Sequence, residues 1–301
     1  MRSPLGSFCR RGFLLLLFAA STAAARGPAQ DSVQSAVSLT PAAVAVGSPE
    51  LIHVEAPAGA VLAGEWLGHP LAFFRARDGH GWFALAGVDV AANPGSSTLR
   101  ITAKLPDGAT RDLSRTIEIR PGHYRTGVLR VPPRFVEPPL SALPAIKAEI
   151  ALKKAVFSAS APEPLWTGDF RAPVHAAPTD SFGTRRTFNG TLASIHKGMD
   201  FRAHTGTPVR ASNDGVVVLA RKLYYEGNCV AIDHGLGLYT IAMHLSRIDV
   251  REGEHVRKGQ LLGLSGATGR VTGPHLHWAV RWEDTYLDPA RLLRMNLNSV
   301  R

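Results

Sequence analysis

Apolar and polar positions alternate with a period of two along most of this chain, the pattern of half-buried strands rather than helices. In TLRITAKL, Leu99, Ile101, Ala103 and Leu105 alternate with Arg100, Thr102 and Lys104. Pro106-Asp107-Gly108 then supplies a turn before the next strand around Ile117 and Ile119. Short strands of this kind predict an all-β sandwich over residues 31–132. Residues 133–178 read as a linker. Its Pro-rich opening, VPPRFVEPPLSALP, leads into AIKAEIALKKAVFSA, where Ile146, Ile150 and Phe157 with flanking lysines suit one amphipathic helix. APEPLWTGDFRAPVHAAP follows, and its prolines predict an extended strap.

From residue 179 to 295 the period of two returns. Asn213-Asp214-Gly215 opens GVVVLARKL, Glu226-Gly227-Asn228 precedes CVAID, and GLG breaks the chain before LYTIAMHLS. In HLHWAVRW, Leu276, Trp278, Val280 and Trp282 form an apolar stripe, so His275 and His277 share the opposite face. Helix signal is almost absent until the last residues.

This second segment carries the candidate chemistry. A catalytic zinc takes three protein ligands, usually histidine and carboxylate, and keeps its fourth position open. His196, Asp200 and His277 satisfy that count. Gly198 argues against a helix in HKGMD, and in an extended segment a spacing of four returns His196 and Asp200 to one face. Of the histidine pair on the strand, one can ligate while its neighbour, roughly 7 Å along, reaches a substrate.

The segments TDSFGTRRTFNG, HKGMDFRAHTGTPVRASNDGVVVLA, GNCVAIDHGLGLYTIAMHLS and VREGEHVRKGQLLGLSGATGRVTGPHLHWAV resemble, in order, the lysostaphin/LytM-type zinc metallopeptidases of bacterial peptidoglycan. The resemblance implies an antiparallel β-sandwich with an open groove and one Zn2+ held by His196, Asp200 and His277. It implies His244 and His275 as catalytic residues. An immunoglobulin-like module precedes the peptidase domain in many relatives, and WLGHPLAFF with WFALAGVDV is similar to it. Ala242 and Cys229 stand where the family often has Tyr, and His204 where Pro is common; no ligand is lost. Arg185, Arg186 and Asn189 are candidates for the groove that receives an anionic stem peptide. The function implied is an endopeptidase for peptidoglycan cross-links. Of the two bonds the family cuts, the layout favours the D-alanine to diaminopimelate link over glycine bridges. Peptidoglycan stem peptides are the expected partner, with other cell-wall enzymes as a second class.

Arg2, Arg10 and Arg11 precede an apolar run from Gly12 to Ala25, ending in Ala23-Ala24-Ala25. At about fourteen residues it is too short to span a bilayer, which needs roughly 20, and it reads as a signal peptide over 1–25. The expected product is a soluble exported protein in the periplasm. Cys9 precedes the apolar core and is not placed for a lipid anchor, and Cys229, the one cysteine left after cleavage, reads as a small buried thiol. The net charge of +10 falls to +7 without the three leader arginines. That charge suits anionic envelope polymers. With no basic run interleaved with aromatics and no recognition helix, it does not point to nucleic acid.

His53, His69, His80 and His123 have no partners at ligand spacing and read as surface or turn residues, and His234 and His255, which lie at turns, read as structural. Asp233 and Asp249 are candidates to orient a ligand histidine. Three rival readings fit the residues less well. A catalytically silent activator of a cell-wall amidase should have lost ligands, and here all are present. A lipoyl or biotinyl carrier needs a Lys at a hairpin tip. A phosphotransferase domain belongs in the cytoplasm and leaves Asp200 without a task.

Overall fold

The computed structural model describes residues 36–76, 79, 81–130, 137–188, 192–298 and 300. The signal-peptide reading, Cys9, His80 and Asn189 fall outside them.

Two four-stranded sheets form the N-terminal unit. One runs Val37–Thr40, Pro49–Val54, Trp82–Gly87, Phe73–Arg75 in spatial order, and the other His69–Pro70, Val61–Trp66, Gly95–Lys104, Thr110–Ile119. The alternation read in TLRITAKL is realised: Leu99, Ile101 and Ala103 are buried, and Arg100, Thr102 and Lys104 are exposed or half-exposed. The sandwich ends at Ile119, earlier than its expected limit at 132. The next strand, Thr126–Leu129, pairs in parallel with Arg185–Phe188 of the C-terminal unit.

An eight-stranded sheet organises the C-terminal unit. Met199–Phe201, Leu276–Trp282, Leu238–Leu245, Gly227–Asp233 and Gly215–Leu223 are successive neighbours in it. Leu276–Trp282 lies inside the sheet and sets its two faces. Leu276, Trp278, Val280 and Trp282 are buried in the main core with Leu238, Ala242 and Ile232. Each side chain of that size gains about 1.5–3 kcal/mol from full burial.

The opposite face of that strand holds His277, Ala279 and Arg281. Ala279 joins a second cluster with Leu219, Cys229, Tyr239 and Ile241, covered by the helix Leu143–Val156 and its following Phe157. One sheet face thus carries the ligand histidine at one end and the helix at the other. The helix differs from its expected amphipathic face. It docks through Leu152, Val156 and Phe157, while Ile150 is 60% exposed. Polar ties complete the seat: Glu149 accepts the Tyr224 backbone N–H at 2.9 Å, and Lys153 pairs with Glu226.

The strap after the helix contains neither helix nor strand and runs through several bends, yet Trp166, Phe170 and Val174 are buried in the main core. Trp166 meets Phe74 of the sandwich edge-on, with ring centroids 5.8 Å apart. Backbone contact continues the junction, with Asp288 N–H donating to the Gly47 carbonyl at 2.8 Å. Gly87 is required here, because a Cβ would overlap the Leu287 side chain. Among the described residues no helix is long and apolar enough to cross a membrane.

Candidate metal centre

Three side chains from distant parts of the chain meet at one point. His196 Nε2 lies 3.0 Å from Asp200 Oδ1, His277 Nδ1 lies 2.8 Å from the same oxygen, and the two ring nitrogens are 3.0 Å apart. Strand register explains two of them, since Asp200 and His277 are direct cross-strand partners. His196 arrives differently from the expected extended segment: only Met199–Phe201 is strand, and the chain bends at Lys197–Gly198. Gly198 permits that bend beside the neighbouring strand. A Cβ there would stand 2.8 Å from the Trp278 carbonyl oxygen and closer still to the His277 ring.

The donor set fits a metal cation. His196 Nδ1 is 2.9 Å from the Ser181 carbonyl oxygen, which can only accept, so Nδ1 carries a proton and Nε2 is the atom turned to Asp200. The contact of Nε2 with Asp200 Oδ1 at 3.0 Å needs a cation between the two atoms, a proton on the ring or a metal ion in its place. Tetrahedral zinc with bonds of about 2.0–2.2 Å holds its ligand atoms a little over about 3 Å apart, close to the observed triangle. Burial by itself would raise the Asp200 carboxyl, but hydrogen bonds to His196 and His277 outweigh it and hold the carboxyl well below the usual range. Burial lowers His277, favouring the neutral ring that a metal needs.

Beside the triad stand His244 and His275, ring centroids 5.0 Å apart. Each ring is fixed by a backbone carbonyl: His244 Nδ1 donates to Thr268 at 2.9 Å, and His275 Nδ1 donates to Gly273 at 2.8 Å. Both rings therefore keep Nε2 for the cleft, and His275 Nε2 is 3.8 Å from Asp200 Oδ1. His244 adopts φ 64°, a conformation that costs a residue other than Gly about 1–3 kcal/mol. Its backbone N–H donates to Glu226 O at 2.9 Å, which helps hold it there. Burial, with the neighbouring His277 and His275, pushes its pKa down to about 3, so the ring is neutral near pH 7. All five residues line one open cleft of about 910 Å³.

The family profile of peptidase family M23 matches residues 194–289, which contain the whole triad and both further histidines. The chain carries a peptidase family M23 domain. Over 83 residues it is 55% identical to the peptidoglycan DD-endopeptidase ShyA of Vibrio cholerae, covering 28% of this chain and 19% of that protein. Over 95 residues it is 44% identical to the DD-carboxypeptidase/endopeptidase Mpg of Neisseria meningitidis, covering 32% of this chain and 22% of that protein. The matched stretch thus spans only about a fifth of these relatives' own length. A solved structure described as a peptidase M23 from Pseudomonas aeruginosa superposes with a TM-score of 0.60 at 27% identity, covering 79% of this chain and 94% of that one.

Arg186, just ahead of the matched residues, lines the cleft, as expected, but it is committed to carboxylates. It pairs with Asp180 and lies 3.1 Å from Asp200 Oδ2. Asp180, absent from the sequence-based candidates, also lies 3.8 Å from His196 Nδ1. Its one signal was its place in TDSFGTRR, just ahead of the arginines. Replacing Arg186 with Ala is expected to weaken metal affinity about 10- to 100-fold, as loss of a ligand's supporting partner does; a competition titration against a chromophoric chelator measures it. Arg185 is exposed and does not line the cleft.

Neither Asp233 nor Asp249 orients a ligand. Asp233 accepts from Ser160 Oγ and from the Ala161 and Gly235 backbone, pinning the start of the strap, and Asp249 pairs with Arg247 on the surface. His234 is a buried structural residue between the Asp214 carbonyl and Thr240 Oγ1, its pKa pushed down to about 4 by burial. His69 joins the two units, 3.5 Å from Asp284 and with its ring tilted against Trp282. Cys229 is buried, which pushes its thiol pKa up.

Proposed function

We propose that this chain is an exported zinc-dependent endopeptidase that hydrolyses peptide cross-links of bacterial peptidoglycan. The single observation that carries this reading is the convergence of His196, Asp200 and His277 beside two tautomer-fixed histidines in one open cleft. The names of the Vibrio and Neisseria relatives support the substrate class, and the D-alanine to diaminopimelate link is the bond we assign. Export rests on the basic start, apolar run and Ala23-Ala24-Ala25 of residues 1–25. The N-terminal unit is read as an immunoglobulin-like module. Its two sheets have the strand orders first-second-sixth-fifth and fourth-third-seventh-eighth, which support that reading.

When bound, zinc lowers the pKa of water towards about 7 and polarises a carbonyl. The protein's own groups do the rest. Asp200, His196 and His277 would hold the ion, with Ser181 and Arg186 fixing those side chains from behind. His275, less buried than His244 and with Nε2 turned to the cleft, is placed to take a proton from the attacking water and return it to the leaving amine. His244, held neutral, stands beside His275 and is placed to orient the water through its bare Nε2.

Incubating the purified protein with intact sacculi, with and without a chelator, tests the reading through the released muropeptides. Loss of cross-linked dimers, blocked by chelator and restored by zinc, is the expected result. An unchanged profile from metal-loaded protein would overturn the assignment in favour of an amidase activator.

A further inference from the structure

The cleft has a wall that the M23 domain does not supply. Asp89, Val90 and Ala91, from the loop between Trp82–Gly87 and Gly95–Lys104 of the N-terminal sandwich, line the same cavity as the metal triad. This loop is anchored rather than laid loosely across the opening. Val88 and Val90 are buried, Val88 exchanges backbone hydrogen bonds with Gly47 and Ser48, and Gly47 in turn accepts from Asp288 of the C-terminal unit.

Asp89 is half-buried there. Its Oδ1 accepts the Ala91 backbone N–H at 2.7 Å, and among the described residues none of the ion pairs involves it. A partly desolvated carboxylate without a countercharge is unfavourable by itself and becomes favourable when a ligand brings the cation. The other acidic groups of the cleft are already engaged, Asp180 by Arg186 and Glu226 by Lys153.

We infer that Asp89 recognises a free ammonium group on the substrate, so that the N-terminal sandwich sets specificity from a fixed wall. This rests on the endopeptidase reading, and the class it fits is a cross-linked peptide whose donor stem carries a diaminopimelate with a free side-chain amine next to the D-alanine whose carbonyl is attacked.

The test uses the full metal-loaded chain and Asp89→Asn, which keeps shape and removes charge. A soluble stem tetrapeptide containing diaminopimelate is offered with its side-chain amine free or acetylated, binding is read by calorimetry, and cleavage of the cross-linked dimer is followed separately. The expected result is about tenfold weaker binding of the free-amine peptide to Asp89→Asn, with no change for the acetylated one. KM for the dimer should rise about tenfold while kcat and metal content hold. Equal weakening of both peptides, or no weakening of either, would overturn the inference. Cleavage by the wild type without amine discrimination sinks the inference alone; discrimination without cleavage sinks the endopeptidase reading and leaves the role of Asp89 standing.

Discussion

Replacing His277 with alanine is expected to abolish metal binding and turnover together. The substitution removes one of three ligands and leaves the Asp200 carboxylate, 2.8 Å from the lost nitrogen, without one of the two imidazoles that hold it ionised. Losing the metal's share of transition-state stabilisation, on the order of several kcal/mol, corresponds to a rate drop of about a thousandfold or more. Metal content by elemental analysis and dimer cleavage by chromatography should fall in parallel. Because His277 faces away from the main core and its neighbours Leu276 and Trp278 supply the burial, the variant should remain folded, which circular dichroism checks. A variant that kept a full metal equivalent would refute the ligand assignment.

His275→Ala should separate the two properties. His275 sits 3.8 Å from the shared carboxylate oxygen, outside the triangle formed by the ligand atoms, and its ring is fixed from the opposite side by Gly273. The variant is expected to bind one metal with wild-type affinity and lose about 10²- to 10⁴-fold in kcat, the usual worth of a proton-transfer group. Imidazole added to the assay should restore part of the rate. Loss of metal equal to that of His277→Ala would mean that His275 ligates and that the roles assigned to the two histidines are wrong.

Strand alternation made most of this architecture legible in the sequence. A period of two placed His277 opposite the buried stripe of Leu276, Trp278, Val280 and Trp282, and the structure keeps it there. The spacing of HKGMD identified the right pair for an incomplete reason, since His196 reaches the site through a bend that Gly198 permits. That depends on the close approach of another strand, which local pattern does not encode. The helix showed a similar limit. Periodicity selected Ile146, Ile150 and Phe157; the sheet face buries Phe157 as expected but takes Leu152 and Val156 beside it, leaving Ile150 exposed. Asp180 and Asp89 were invisible for the same reason: their roles arise from what long-range pairing places beside them, across the seam with Arg186 in one case and across the junction of the two units in the other.

The pairing of Asp200 with His277 has a last consequence. Side chains on a strand change faces with every residue, so a shift of one position between Met199–Phe201 and Leu276–Trp282 would turn Leu276 or Trp278 towards solvent and swing the imidazole into the apolar interior. Chemistry and burial are therefore written into a single alignment of two strands. A misfolded copy cannot retain a working metal grip while its interior is wrong, so whatever the centre does begins only once the chain has folded correctly.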